Sequence, residues 1–278
     1  MTRRSDHQAL FAAGPRLTGP EQPAVKAVAS ALKVLQNFVT AQGPLGVSEL
    51  AESTGLTKGQ VSKILKTLRD FEFLEQNPTT QKYTVGLNAF ALGNNYVNAN
   101  ELTRQALPGM RKLVDDTGHS AVLSIMRGTN VIHLMAVEGR LFVDGRWRVG
   151  RWMPYHSTAA GKLLLAHGEP ELIETLLRTR GLPRITPNTI TNEQQFRATL
   201  LRVKAAGFAT SRSETHVGTG ALAVPVYGRD SRAIATLGLI CPEHLLTAAE
   251  ENRLVPMLHR AARELSLRMG AEIYPFGA

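Results

Sequence analysis

Residues 55–75, GLTKGQVSKILKTLRDFEFLE, decide how the first third of the chain folds. Thr57 occupies the position of a helix N-cap. After it, Val61, Ile64, Leu65 and Leu68 recur at the three- and four-residue spacing that gathers them on one stripe. The other side carries Lys58, Gln60, Ser62, Lys63, Lys66 and Thr67. Between Lys58 and Arg69 lie four cations, Lys58, Lys63, Lys66 and Arg69, and no acid. The pattern predicts a helix that packs through one face and offers hydrogen-bond donors from the other, with a first turn suited to the DNA major groove.

Upstream, Val25, Val28, Leu32, Leu35 and Val39 predict an amphipathic helix over 23–41, with Pro23 in its first turn. Gly43, Pro44 and Gly46 break it. Ser48 can cap a short second helix that runs through Ser53 and stops at Gly55. Downstream, FEFLEQ (71–76) and KYTVG (82–86) flank the turn NPTTQ (77–81), which reads as a hairpin. Three helices and a hairpin make a winged helix-turn-helix over 23–86. An arm at 1–22 precedes it, broken by Gly14, Pro15, Gly19 and Pro20. A linker helix over 87–106 follows, carrying Phe90, Leu92, Tyr96 and Leu102.

The DNA-contact candidates are Thr57, Lys58, Gly59, Gln60, Ser62, Lys63 and Lys66, with Lys82 on the wing. Thr57-x-x-Gln60 is also a capping box, so base contact and capping compete for Gln60. Gly59 costs helix propensity but lets the backbone approach a phosphate. Lys82 is equally an ordinary exposed hairpin lysine. The alternative for the whole face is a solvated helix that binds another protein.

Beyond Arg104 strands mix with helices. HSAVLSIMR (119–127) and VIHLMAVEG (131–139) are joined by the turn GTN; GALAVPVYG (220–228) and AIATLGLIC (233–241) lie across a turn at Arg229 and Asp230. Such tight turns predict a mostly antiparallel sheet. Helices are expected at 157–167, 170–178, 192–206 and 248–269. The result is an α+β second domain over 107–270, with a tail at 271–278.

With 278 residues, two domains are the natural reading. A formal charge of +9 suits a polyanionic partner, yet residues 21–85 hold seven Lys/Arg against six Asp/Glu, so local placement carries that inference. One cysteine, Cys241, permits no intrachain disulfide and favours a reducing, cytoplasmic setting. No apolar stretch reaches the length of a membrane span. Catalysis finds little support: G-x-S-x-G, a Walker loop and a strand-borne G-x-G-x-x-G are absent, and Cys241 ends an apolar run suited to a buried strand. His156 and its companions His119, His133, His167, His216, His244 and His259 lack short ligand spacing, so neither metal nor cofactor is expected. Arg140, Arg146, Arg148 and Arg151 could attract an anion or join subunits, or form a solvated strand face.

From about Val25 to Met269 the chain resembles the isocitrate lyase regulator (IclR) family of bacterial transcription factors. The resemblance is carried by AVKAVASALKVLQNF (24–38), residues 47–86, VGRWMPYHSTAAGKLLLA (149–166), LPRITPNTIT (182–191) and ALAVPVYGRDSRAIATLGL (221–239). It implies a winged helix on a linker helix, a GAF-like effector-binding domain, and operator binding as a homotetramer of paired dimers. It also implies response to a small metabolite, as repressor or activator. In this family the helix after the P-x-H-x-T segment borders the effector pocket, which implicates Thr158, Ala159 and Ala160. Gly161 would allow close backbone approach, and helix amides favour an anion. The other reading is that these small residues simply pack the helix on the sheet. The chain departs from the family in the loop TSRSETHVG (210–218), at Ala221, and at Gly238 and Ile240. These replacements suggest a roomier, more apolar pocket for a monocarboxylate with an aromatic body, with Ser211 or Arg212 available to its carboxylate. Two rivals are an enzyme acting on small acids through the second domain, and a ligand-free architectural DNA-binding protein.

Overall fold

A computed structural model describes residues 25–41, 43–141 and 149–277. The expected arm at 1–22, Pro23, Arg146 and Arg148 lie outside the described residues. The chain divides between Ala99 and Asn100 into two compact units.

The first unit holds α1 (Lys26–Thr40), α2 (Val47–Thr54), α3 (Lys58–Asp70), the antiparallel hairpin β1 (Leu74–Gln76) and β2 (Tyr83–Val85), and α4 (Leu87–Ala99). Gly55 ends α2 in the left-handed region at φ 72°, where glycine carries no Cβ penalty. Val34, Phe38, Leu50, Val61, Leu65, Leu74 and Tyr83 form the core, so all three helices and the hairpin close on one centre. Burying a side chain such as Leu65 contributes about 1.5–3 kcal/mol.

Of the expected stripe on α1 only Leu35 packs against this core. Val28 and Leu32 are 55% and 53% exposed, and Val25 and Val39 are exposed as well, while Val34 and Phe38 are buried. The helix is apolar on two sides, and periodicity alone does not say which side the unit uses. On α4, Leu87, Phe90, Leu92 and Tyr96 are exposed and no residue is buried.

The second unit opens with α5 (Glu101–Thr117), where the sequence predicts a single helix over 87–106. The Asn100 side chain accepts from the Leu102 amide at 3.0 Å and caps a new helix. The sheet comprises β3 (Ser120–Arg127), β4 (Asn130–Val137), β5 (Trp152–Met153), β6 (Ala209–Arg212), β7 (Thr219–Tyr227) and β8 (Ala233–Pro242). Their order is β5-β4-β3-β8-β7-β6, and every pairing is antiparallel. The remaining helices are α6 (Ala159–Ala166), α7 (Pro170–Arg180), α8 (Glu193–Ala206) and α9 (Ala248–Arg268).

Strand alternation sends side chains to two cores. Leu123, Leu222, Leu237 and Leu239 pack with Met110 of α5 and Leu258 of α9; Val131, Ala209 and Ala223 pack with Leu163 of α6 and Phe196 of α8. A bulge in β4 decides which of its side chains face each core. Leu123 pairs with Met135 but Ser124 pairs with His133, so Leu134 is an extra residue. Leu134 and Met135 both join the α5/α9 core, leaving His133 and Ala136 on the α6 side. Beyond α9 the last residues fold back: Ala271 is buried, and Phe276 packs its ring against His167 and His259.

Candidate functional site

In the first unit, α3 buries Val61 and Leu65 and exposes Lys58, Gly59, Gln60, Ser62, Lys63 and Lys66. Thr57 and Gln60 cap each other. The Gln60 amide donates to Thr57 Oγ1 at 3.3 Å, and the Thr57 amide donates to Gln60 Oε1 at 3.0 Å. The Gln60 side chain is therefore turned back on its own helix. Arg69 binds Asp70 at 2.8 Å and Gln76 Oε1 at 3.1 Å, which ties the end of α3 to the hairpin. Lys82 reaches across to Glu49 at 3.0 Å. The Gly46 amide, and after it Lys82, hold the Glu49 carboxyl below its ordinary value. Among the described residues, no carboxylate pairs with Lys58, Lys63 or Lys66. A Cβ on Gly59 would meet nothing within 4 Å, so the first turn is open to approach. This face offers three uncompensated ammonium groups beside an accessible backbone, a fit for phosphate.

In the second unit a cavity open to solvent lies between the sheet and the start of α6. Thr158, Ala159, Ala160, Ser211, Ala221, Gly238 and Ile240 line it, seven of the nine positions singled out from sequence. Thr158 caps α6, its Oγ1 accepting from the Gly161 amide at 3.0 Å. The first-turn amides of Ala159 and Ala160 are left for another acceptor. Ser211 Oγ donates to the Ser157 carbonyl at 2.7 Å and Thr215 Oγ1 does so at 3.0 Å, which fixes the helix start over the edge of the sheet. Val122 and Ile240 supply an apolar floor.

Two expected residues do other work. A Cβ on Gly161 would come within 2.1 Å of the Tyr155 carbonyl oxygen, so this glycine seats α6 on the preceding turn and does not face the cavity. Arg212 follows Ser211 on β6 and faces the opposite way, binding the Leu246 carbonyl and Glu251 Oε2, the latter at 2.6 Å. It is committed before any ligand arrives. Among the described residues no Lys or Arg lines the cavity, so an anion there would depend on helix amides and hydroxyls.

Sequence reading missed Val122, His133, Met153, Thr215, His216, Thr219, Leu222, Ala223 and Thr236 in the lining. For those on strands the signal is register, which alternation in a single strand does not supply; Thr215 and His216 lie in the loop between β6 and β7. His133 Nδ1 shares a 2.7 Å hydrogen bond with Ser124 Oγ, and burial pushes the imidazole down to about 4. Behind α6, Lys162 Nζ meets Glu214 Oε1 at 2.5 Å; burial drives the ammonium down and the carboxyl up. The Thr186 and Thr189 hydroxyls donate to the Glu214 carbonyl at 3.2 and 2.7 Å, so the 182–191 segment clamps the loop that carries Thr215. Burial raises the Cys241 thiol to about 11, which suits packing better than nucleophilic chemistry. Of the arginine group, Arg140 is exposed and Arg151 half-buried. No helix of the described residues is long and apolar enough to cross a membrane.

Comparison with known proteins agrees with this architecture. Residues 27–78 match the IclR helix-turn-helix domain, and residues 94–267 match the bacterial transcriptional regulator IclR C-terminal domain. The HTH-type transcriptional regulator XynR of Escherichia coli (strain K12) is 30% identical over 249 residues, spanning 89% of this chain and 98% of XynR. The crystal structure of an IclR transcriptional regulator from Alicyclobacillus acidocaldarius superposes with a TM-score of 0.77 at 28% identity, covering 89% of this chain and 100% of that one. An IclR homolog from Microbacterium hydrocarbonoxydans, crystallised with 4-hydroxybenzoate, shares the fold with a TM-score of 0.74 at 23% identity, covering 87% and 98%. The curated relatives are named as transcriptional regulators rather than enzymes. With a helix-turn-helix unit, an α+β unit enclosing a cavity, and family matches over both, this chain belongs to the IclR family of ligand-responsive, DNA-binding transcriptional regulators.

Proposed function

We propose that the chain reads a palindromic operator through Thr57, Lys58, Gly59, Ser62, Lys63 and Lys66 at paired α3 helices, with Lys82 at the flank and the Gln60 side chain kept on the helix cap. We propose also that it responds to a small organic monocarboxylate with an aromatic body. Both events take place in the cytoplasm of the cell whose promoters it controls. The observation that carries the ligand is the cavity itself: two first-turn amides of α6 stand at one end, and Ala159, Ala160, Ala221, Gly238 and Ile240 form largely apolar walls. Amides receive a carboxylate, and small side chains leave room for a ring. Gly238 is fixed for a second reason, since a Cβ there would approach the Leu222 carbonyl oxygen to 2.6 Å. The 4-hydroxybenzoate held by the Microbacterium relative is an acid of this class.

A homo-oligomer, a dimer that pairs into a tetramer, is the functional form. The exposed apolar stripes Val25–Val28–Leu32 on α1 and Leu87–Phe90–Tyr96 on α4 support it, because such surface is costly in water and a second copy of the same chain would cover it. Two recognition helices about 34 Å apart would then match successive major grooves.

The test is thermal unfolding of the full chain with benzoate, with glyoxylate and pyruvate as small controls. Benzoate should raise the melting temperature by mass action, and Ala160→Trp should remove the rise while ligand-free operator binding persists. A rise with the small acids and none with benzoate would contradict the reading.

A further inference from the structure

The sheet registers order the cavity floor into rows. Ser211 of β6, Ala221 of β7 and Ile240 of β8 form one transverse row, with the start of α6 anchored above it by Ser211. Two residues along β8 is the row of Val122, Gly238 and Ala223. Two further is a third row, in which His133, Ser124 and Thr236 stand side by side on β4, β3 and β8. The first two rows are mostly apolar or small. The third is polar on three adjacent strands.

Within it, Thr236 is 1% exposed, its hydroxyl meets no hydrogen-bond partner among the described residues, and it lines the cavity. Burying a hydroxyl without a partner costs stability, and valine has nearly the same shape. A threonine here is explained by a ligand that completes it. His133 lines the same end, its Nδ1 taken by Ser124 Oγ and Nε2 left as the ring's other hydrogen-bonding atom. Its position depends on the Leu134 bulge, which keeps both His133 and Ala136 on the cavity side.

We infer that Thr236 and His133 form a hydroxyl-reading site at the end of the cavity opposite the Ser211 row, so that the effector is a monocarboxylate with a hydroxyl on the far end of its apolar body. The inference rests on the acid-binding reading above and narrows it. A second carboxylate is disfavoured, because no Lys or Arg among the described residues lines this end and burial keeps His133 neutral. A hydroxyl suits both partners, since it donates and accepts.

The experiment compares benzoate, 4-hydroxybenzoate, 4-methylbenzoate and 2-hydroxybenzoate by calorimetric titration of the full chain and its Thr236→Val variant. The wild type should prefer 4-hydroxybenzoate to 4-methylbenzoate by roughly ten- to a hundredfold, the range expected when a buried polar group is left unpaired. The 2-hydroxy isomer, whose hydroxyl sits beside the carboxylate, should gain nothing over benzoate. Thr236→Val should erase most of the preference and raise the melting temperature of the ligand-free protein. A threonine that merely packs would leave the preference intact when replaced. Binding of all four acids with equal affinity overturns this inference and leaves the acid-binding reading standing. Binding of none overturns both.

Discussion

Ser211 and Arg212 are adjacent on β6 and serve opposite faces of one sheet: Ser211 donates to the Ser157 carbonyl at 2.7 Å beneath the start of α6, while Arg212 holds Glu251 of α9 at 2.6 Å. Pleating enforces the separation. The residue that offers a charge is therefore kept from the cavity, and the one that reaches the cavity offers a hydroxyl. Arg212→Ala should cost about 1 kcal/mol of stability, since the pair is partly solvated, and leave acid affinity unchanged. Ser211→Ala should weaken acid binding by loosening the start of α6. Calorimetry with denaturant melts checks both; a loss of acid affinity in Arg212→Ala alone would place the carboxylate on the wrong side of the sheet.

Gln60 spends its side chain on the cap of α3. Gln60→Ala should lower stability by about 0.5–1 kcal/mol, and Gln60→Glu, which can form the same box, should restore most of it. Urea melts of the three proteins decide. Unchanged stability in the alanine variant, with altered operator preference, would assign Gln60 to a base.

Lys63 and Lys82 differ in what they must give up to meet DNA. Among the described residues Lys63 has no acidic partner, whereas Lys82 must leave Glu49. Lys63→Ala should reduce the slope of log affinity against log salt by about one, with a smaller change for Lys82→Ala. Equal reductions would mean that the Glu49 pair does not hold in the complex.

His133 and His156 set a pH dependence. Burial pushes each down to about 4, well below the ordinary value near 6.5; nearby Lys162 and Arg180 also act on His156. The unfolded chain therefore takes up protons first. The stability these groups contribute is complete above about pH 6.5 and is lost as pH falls toward 4, at up to about 1.4 kcal/mol per pH unit for each histidine. His133→Asn should remove one histidine's share of the slope. Parallel stability curves for the variant and the wild type between pH 6.5 and 4 would contradict this assignment.

How far the sequence could be read depends on which residues are near in the chain. The α3 stripe, the Thr57–Gln60 cap and the glycine stop at Gly55 are local, and all three were legible. So were the hairpins of the sheet, whose turns lie between their strands. The core face of α1 was not, because Val34 with Phe38 and Val25 with Val28 and Leu32 are both apolar sets at helical spacing. Only packing against α2, α3 and the hairpin selects the first. Thr236 and His133 were invisible for a different reason. They come together through two strand registers and a bulge at Leu134, and one misplaced residue would turn either side chain to the other face.

The central claim is that one chain couples an acid in the α6 cavity to operator binding through α3. Genomic fragments retained by the full chain should be selected first, and the affinity of one such fragment then measured with and without saturating 4-hydroxybenzoate, for the wild type and Ala160→Trp. The account predicts that the acid shifts wild-type affinity by roughly 5- to 150-fold, the usual range of coupling between two sites, while Ala160→Trp binds the fragment equally with and without it. A fragment held with the same affinity whether or not the acid fills the cavity would contradict the account.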